Sequence, residues 1–511
     1  MTTLQPRPPY TDAELAELYP PQLQLQLVQI LLRHGERTPV TPRFTSTGLP
    51  AYWSYCNAAR HLRSAILEDD SGKFSSLEWK RRLEAFGPND LPVFAAGPSG
   101  DLDAVCDMGM LTDLGRSTTT ALGRRLRHLY IDRLGFLPPN LTSSESFYFR
   151  TTPIPRALES LQQTIHGLYP SHTRSPDLPP LTIVGRAPGE ETLFPNDSNC
   201  RRFAALSRAF AQRTADRWNG SDEMAYLTKK IGRWMPEDSP KVAVDSHPRL
   251  SGIMDTINAT DAHGPDTRLP KEFYDPRARQ IIEDIAVEEW FSGYRESQEY
   301  RALGIGGLLG DIVTRMAGSA ENPPAAAAAT AGENQPKKPS SSSSSRPPGI
   351  RFAMSGCHDT TLAGALASLG ALEGGWPPFT SHIAFELFRH ASAPAPSASS
   401  SSSSTSWISS LFTRSGSSSA AAGIGRKKTP DLSPAEKQKL DGHHVRVRFN
   451  DKPVTIPACK APGNHLEGDQ SFCTLATFKA VVDKFTPENW REECHASGAP
   501  AFPSKPEPAG Y

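Results

Sequence analysis

Residues 22–32 read QLQLQLVQILL: apolar and polar positions alternate, then give way to an unbroken apolar run. A period of two marks a half-covered strand, and the apolar run marks a strand entering a sheet covered on both faces. Further short strands are predicted at Ser146–Arg150, Gly349–Ser355, Ser381–Arg389 and His443–Asn450. Between them the period changes. In 113–130, Leu114, Leu122, Leu126 and Leu129 fall roughly on one helical stripe. Leu158, Leu161, Ile165 and Leu168 do the same in 155–168, which ends at Gly167 and Pro170. Leu362, Leu366 and Leu369 place a helix over 360–369, stopped by Gly370. Strands alternating with helices predict an α/β fold, a mixed, mostly parallel central sheet flanked by helices.

Three stretches break this pattern. Residues 200–316 are helix-like, rich in Arg and Trp, and carry no strong strand, so they are expected to form a helical cap subdomain. Residues 317–348 and 391–430 are dominated by Ser, Ala and Pro and cannot offset the entropy of ordering, so both are expected to be disordered insertions. The second holds an apolar island, Trp407–Phe412, readable as a chance sticky loop or as a docking element. The α/β domain then comprises 21–199, 349–390 and 431–496, with tails at 1–20 and 497–511.

Composition narrows the classes. The 511 residues carry 55 basic and 55 acidic side chains, which argues against a surface built for nucleic acid. No stretch approaches the ~20 apolar residues of a transmembrane helix. The acidic, Pro-rich start MTTLQPRPPYTDAELAELYPP lacks the basic and apolar regions of a signal peptide. A cytoplasmic location is expected, with the mitochondrion as the alternative. Seven cysteines without C-x-x-C spacing suggest reduced thiols and no cysteine metal motif.

The chemistry gathers at strand ends. The first strand runs into Arg33-His34-Gly35-Glu36-Arg37-Thr38-Pro39. Open α/β sheets bind ligands beyond the carboxyl ends of their strands. Arg33 and Arg37 offer forks of N–H donors suited to phosphate, and a neutral His34 among them is a candidate nucleophile toward phosphorus. Gly35 is expected to let backbone approach a ligand closely. A second strand ends in Arg150, followed by Thr151-Thr152-Pro153-Ile154-Pro155-Arg156, so Arg150 is a candidate for the same crevice. A third ends in Gly356-Cys357-His358-Asp359, with the His–Asp pair at a helix N-terminus that favours anions. Asp359 is the candidate general acid.

These motifs resemble the histidine acid phosphatases, the branch of the histidine phosphatase superfamily with R-H-G-x-R-x-P near the N-terminus and H-D near the C-terminus. Gly109–Gly115 resembles the family's G-x-L-T-x-x-G helix start, and Arg150–Arg156 its R-S-T-x-x-x-R stretch with Thr151 in place of Ser. Gly167–Pro170, Ser381–Leu387 and Gly468–Cys473 are also similar, and the intracellular lysophosphatidic acid phosphatase-like group is the nearest likeness within the family. The resemblance implies a phosphoglycerate mutase-like fold and a metal-independent acid phosphatase, with no cofactor. It puts a phosphohistidine on His34, phosphate contacts on Arg33, Arg37, Arg150 and His358, and proton transfer to the leaving alcohol on Asp359. The implied partner is a small phosphate monoester, a lysophospholipid among the candidates, with oligomeric state open. His263 in Ala262-His263-Gly264 also resembles a family signature and is read as structural or near substrate. Cys200, Cys459, Cys473 and Cys494 lie where secreted relatives carry disulfides; without a signal peptide they are expected to be mostly reduced, with Cys459 and Cys473 able to lie close together.

Alternatives remain within and beyond this class: an inositol-phosphate, phytase-like phosphatase, a phosphoryl-transfer mutase, or a phosphoinositide- or protein-binding scaffold with weak activity. Gly304–Gly310 has the wrong spacing for a dinucleotide loop and no preceding strand, so it reads as a helix-packing stretch.

Overall fold

The run that begins at Leu23 becomes the middle of a nine-stranded sheet. The computed structural model describes residues 3–68, 72–322, 349–392, 423–496 and 498–511. Helix α1 (Asp12–Leu18) precedes β1 (Leu23–Arg33). Two hairpins follow, β2 (Leu62–Glu68) with β3 (Lys73–Trp79), and β4 (Glu84–Phe86) with β5 (Pro92–Phe94). Then come α2 (Asp113–Arg127), β6 (Phe147–Thr151), α3 (Pro155–Leu168) and β7 (Ile183–Val184). A helical stretch holds α4 (Arg201–Trp218), α5 (Asp222–Ile231), α6 (Leu250–Ala262), α7 (Pro276–Glu296), α8 (Gln298–Arg301) and α9 (Gly307–Glu321). The chain returns to the sheet through β8 (Phe352–Cys357), α10 (Asp359–Ser368), β9 (His382–His390) and β10 (His443–Phe449). It ends with β11 (Lys452–Val454), β12 (His465–Leu466) and β13 (Asp469–Thr474), followed by two short helices.

The strand order is β12-β13-β10-β9-β1-β8-β6-β7, with β11 on β10. The core of the sheet, β1, β8, β6 and β7, is parallel; from β9 outward every pairing is antiparallel. The register sets Arg33 beside Cys357 and Thr151 beside Gly356, so three strands end side by side. Leu27 and Leu31 on one face of β1 meet Phe203, Leu309 and Leu362 of α4, α9 and α10. Val28, Ile30 and Leu32 on the other meet Leu122 and Leu161 of α2 and α3. Burying each such side chain contributes on the order of 2 kcal/mol, and this two-sided cover holds the strand ends in register.

Several expectations need correction. Residues 200–316 divide between two cores: α4, α8 and α9 join the sheet's cluster, while α5, α6 and the first half of α7 pack on Phe44, Leu49 and Trp53 in a cap of their own. Parts of both expected insertions, 317–322, 391–392 and 423–430, are among the described residues. Helix α9 continues to Glu321, Ile424 is buried, and Lys428 Nζ donates to the carbonyls of Asp483 and Thr486, each at 2.6 Å. The island Trp407–Phe412 lies outside the described residues. Neither terminal segment hangs free: Tyr19 donates to Glu386 at 2.7 Å, and the Gly510 carbonyl accepts from Ala458 N at 2.8 Å. Gly304–Gly310 packs helices, since a Cβ on Gly306 would lie 2.1 Å from the Phe485 carbonyl.

The cysteines are the largest correction. Six of the seven pair as Cys56–Cys106, Cys200–Cys494 and Cys459–Cys473, leaving Cys357 as a thiol. Separations of 50 and 294 residues leave no local motif for the first two pairs. Cys357 is buried at the end of β8, and burial pushes its thiol up to about 12. Thiol titration of the unreduced protein in denaturant should count one reactive cysteine; a count of seven contradicts the pairing.

Candidate active site

The three strand ends carry the site. The loop after β1 turns sharply because α2 approaches it at backbone distance. A Cβ on Gly35 would lie 2.3 Å from the Gly115 carbonyl, and one on Gly115 would lie 2.2 Å from that of Glu36. Gly35 therefore serves helix packing, where close approach to a ligand was expected. Thr112 caps α2 and donates Oγ1–H to the Glu36 carbonyl at 3.1 Å, and Ser160 of α3 accepts the Gly35 N–H at 3.1 Å.

This loop fixes His34. Its Nδ1 lies 2.9 Å from the Gly35 carbonyl, which makes Nδ1–H the donor and leaves Nε2 with a free lone pair. Burial, then the fields of Arg156, Arg33 and Arg37, hold its pKa well below the usual histidine value. Burial and these charges therefore favour the neutral imidazole. Its ring lies 5.5 Å from that of His358. Burial and Arg156 push His358 down to about 3, although Asp359 opposes them. His358 Nε2 is 3.1 Å from Thr152 Oγ1.

Asp359 opens α10 beside them. Its Oδ2 accepts from Arg33 Nη2 at 2.7 Å and from the Trp376 indole N–H at 2.9 Å, while Oδ1 accepts the Thr360 N–H at 2.8 Å. Burial would push this carboxyl up, but Arg33, the Trp376 hydrogen bond and Arg37 hold it down at about 2. Arg33 also donates to the Pro377 carbonyl and lies over the Phe379 ring, 4.2 Å from its centre. Arg37 pairs with Asp255 of α6 at 2.8 Å, and the same carboxylate accepts from Arg43 at 3.3 Å.

Arg150 does not join this group. It pairs with the buried Glu191 and also donates to Thr192 at 3.1 Å. The arginine that β6 and α3 deliver is Arg156, in the first turn of α3. Burial and the charge of Arg37 push its guanidinium down to about 10, and it is the strongest charge acting on both His34 and His358. The signal was present in the sequence: Arg156 follows Pro155 at a helix start, where side chains face the crevice, whereas Arg150 is still inside the strand. Reasoning from the sequence also passed over Asp255, Trp376 and Thr152. His263 is a tie between cap and loop, with Nε2 2.9 Å from Thr112 Oγ1 and its ring stacked on Tyr55.

Arg33 and Asp359 open onto a cavity of about 430 Å³. Its walls mix Arg43, His247 and Arg249 with Met254, Trp290 and Trp376.

The sequence model of the histidine phosphatase superfamily (branch 2) matches residues 24–413. The chain belongs to that superfamily. Like the other members of this branch it is a phosphatase, a phosphoric monoester hydrolase. A probable acid phosphatase of Schizosaccharomyces pombe is 35% identical over 476 residues, covering 93% of this chain and 95% of the relative. The human lysophosphatidic acid phosphatase type 6 is 25% identical, covering 72% of this chain and 74% of its own. Among solved structures, a phytase of Hafnia alvei superposes with a TM-score of 0.50 at 13% identity, covering 94% of this chain and 100% of the phytase, which shows a common histidine phosphatase fold.

The two arginines of this stretch separate by mutation. Arg156→Ala should lower kcat/KM by roughly 10²- to 10³-fold with little change in melting temperature. Arg150→Ala should cost roughly 3–5 kcal/mol of stability by stranding Glu191, with a smaller effect on kcat/KM of the surviving fold. The reverse pattern would restore Arg150 to the site.

Proposed function

We propose that the protein is an acid phosphatase that hydrolyses phosphate monoesters through a phosphohistidine on His34. The observation that carries this reading is the neutral His34 ring, with Nδ1–H held by the Gly35 carbonyl and Nε2 open among Arg33, Arg37 and Arg156. Those guanidiniums bind and orient the phosphoryl oxygens and offset the charge that spreads over them in the transition state. His358, beside His34, adds an imidazole donor to the same group. Nε2 attacks phosphorus, the ester P–O bond breaks, and Asp359 gives a proton to the leaving oxygen. Asp359, now a carboxylate, takes a proton from the water that cleaves the P–N bond, releasing phosphate and restoring His34. The cap contributes Asp255, which holds Arg37 in place before substrate arrives.

The resting Asp359 is ionised, so the proton must be supplied. A phosphate monoester has a second pKa of about 6, and below it the ester arrives carrying one proton. Phosphate draws Arg33 away from Asp359, and the carboxylate that loses its counter-charge accepts that proton. Activity therefore falls as pH rises through about 6, because the dianionic ester brings no proton. His34, whose neutral form is favoured by burial and the arginines, imposes no acid limb at its ordinary pKa.

For the substrate, the cavity walls support a compact polar ester, with His247 and the ion-paired Arg43 and Arg249 offering polar groups to a further phosphate or hydroxyl. Lysophosphatidate is the second reading, favoured by Trp290, Trp376 and Met254 on the same walls and by likeness to a lysophosphatidic acid phosphatase. The three cysteine pairs favour an oxidising compartment over the cytoplasm.

Two measurements test this reading. His34→Ala should abolish hydrolysis of glycerol phosphate, lysophosphatidate and inositol hexakisphosphate alike, in the presence of a chelator. Asp359→Asn should slow turnover of an alkyl ester roughly 10²- to 10⁴-fold. It should also leave an acid-labile, base-stable phosphate on the protein after quenching with a labelled aryl ester. An active His34→Ala variant, or label that is absent or stable to acid, contradicts the mechanism.

A further inference from the structure

Trp376 lies in the loop between α10 and β9, and it is tied on two sides. Its backbone N–H donates to Glu283 Oε1 of α7 at 2.7 Å, and its indole N–H donates to Asp359 Oδ2 at 2.9 Å. The ring is wedged against α7, with centroids 4.9 Å from Phe291 and 6.0 Å from Trp290. It also lines the cavity in front of Arg33 and Asp359.

Asp359 Oδ2 has two donors, and they have different fates during the reaction. Arg33 must serve the phosphoryl group, and its move to the substrate leaves the oxygen with one side-chain anchor. An indole cannot follow the phosphate, because its ring is packed on α7 and its backbone is held by Glu283. We infer that Trp376 is a positioning residue for the general acid, holding the Asp359 carboxyl toward the leaving-group side of the pocket when Arg33 turns to phosphate. This inference rests on the reading of Asp359 as proton donor. An indole N–H suits the task because it donates, carries no charge and does not titrate, so it fixes the carboxyl without competing for phosphate.

The charged and titratable groups around Asp359 are Arg33 and Arg37 from the loop after β1, Arg156 from α3, and His358 and Cys357 before it in the chain. Among the forces on the carboxyl, the Trp376 hydrogen bond favours the ionised form. Its loss shifts proton release from Asp359 to higher pH.

The test compares leaving groups. A nitrophenolate leaves without a proton, whereas an alkoxide needs one. Trp376→Phe keeps a flat ring on α7 and removes only the donor. It should lower kcat for glycerol phosphate roughly tenfold, the scale of one hydrogen bond to a charged group. It should change kcat for nitrophenyl phosphate less than about twofold. Trp376→Gln, which restores an N–H without the ring, should recover part of the alkyl-ester rate. Equal losses on both esters, or a Gln variant no better than Phe, would assign Trp376 to packing alone and overturn the inference. Asp359→Asn on the same two esters separates the premises. If it too ignores the leaving group, the general-acid reading fails and this inference with it. If it discriminates while Trp376→Phe does not, only the inference fails.

Discussion

Arg33 Nη2 lies 2.7 Å from Asp359 Oδ2, and the charge balance of the site depends on that ion pair. In the proposed mechanism it joins the group that binds phosphate to the group that delivers a proton. Both are buried, and each neutralises the other while the site is empty. A buried arginine left alone, or a buried carboxylate left alone, would be costly. On the proposed mechanism, substrate breaks the pair by offering Arg33 a better anion, and the same event changes the acidity of Asp359. The pair exists because β1 and β8 are parallel neighbours in a register that sets Arg33 beside Cys357, two residues before Asp359. Both faces of β1 are packed, so this register has no freedom to slip.

The cap works through the same contacts. Asp255 of α6 holds Arg37 and Arg43, Glu283 of α7 holds the Trp376 backbone, and His263 reaches Thr112 at the start of α2. A change in how the cap sits therefore alters the charge balance around His34, beyond narrowing the cavity above it.

The sheet and the strand-end motifs were legible in the sequence because period and loop chemistry are local. β1, β6, α3, α10 and β9 fall within a few residues of their predicted places, and Arg33, His34, Arg37, His358 and Asp359 meet. Features decided by distant partners were not legible. His443–Phe449 alternates as a half-exposed strand would, yet Arg446 and Arg448 are buried, because Glu386 on neighbouring β9 pairs with both. Arg150 sits one residue before the end of β6 and meets Glu191, 41 residues on. Cys200 finds Cys494 at the far end of the chain. Each is a long-range pairing to which a local pattern is blind. The hairpins β2–β3 and β4–β5 were missed for another reason: their apolar residues, Leu67, Phe74 and Phe86 among them, are exposed and follow no core pattern.

The most direct test is the titration of Asp359 itself, by carbon NMR of carboxyl-labelled aspartate in the intact protein, assigned by loss of the resonance in Asp359→Asn. Without ligand the carboxyl should titrate at about 2, held there by Arg33. With saturating inorganic phosphate it should titrate at least about one pH unit higher, because the anion has taken the guanidinium. A titration that does not move when phosphate binds would contradict the shared-arginine account.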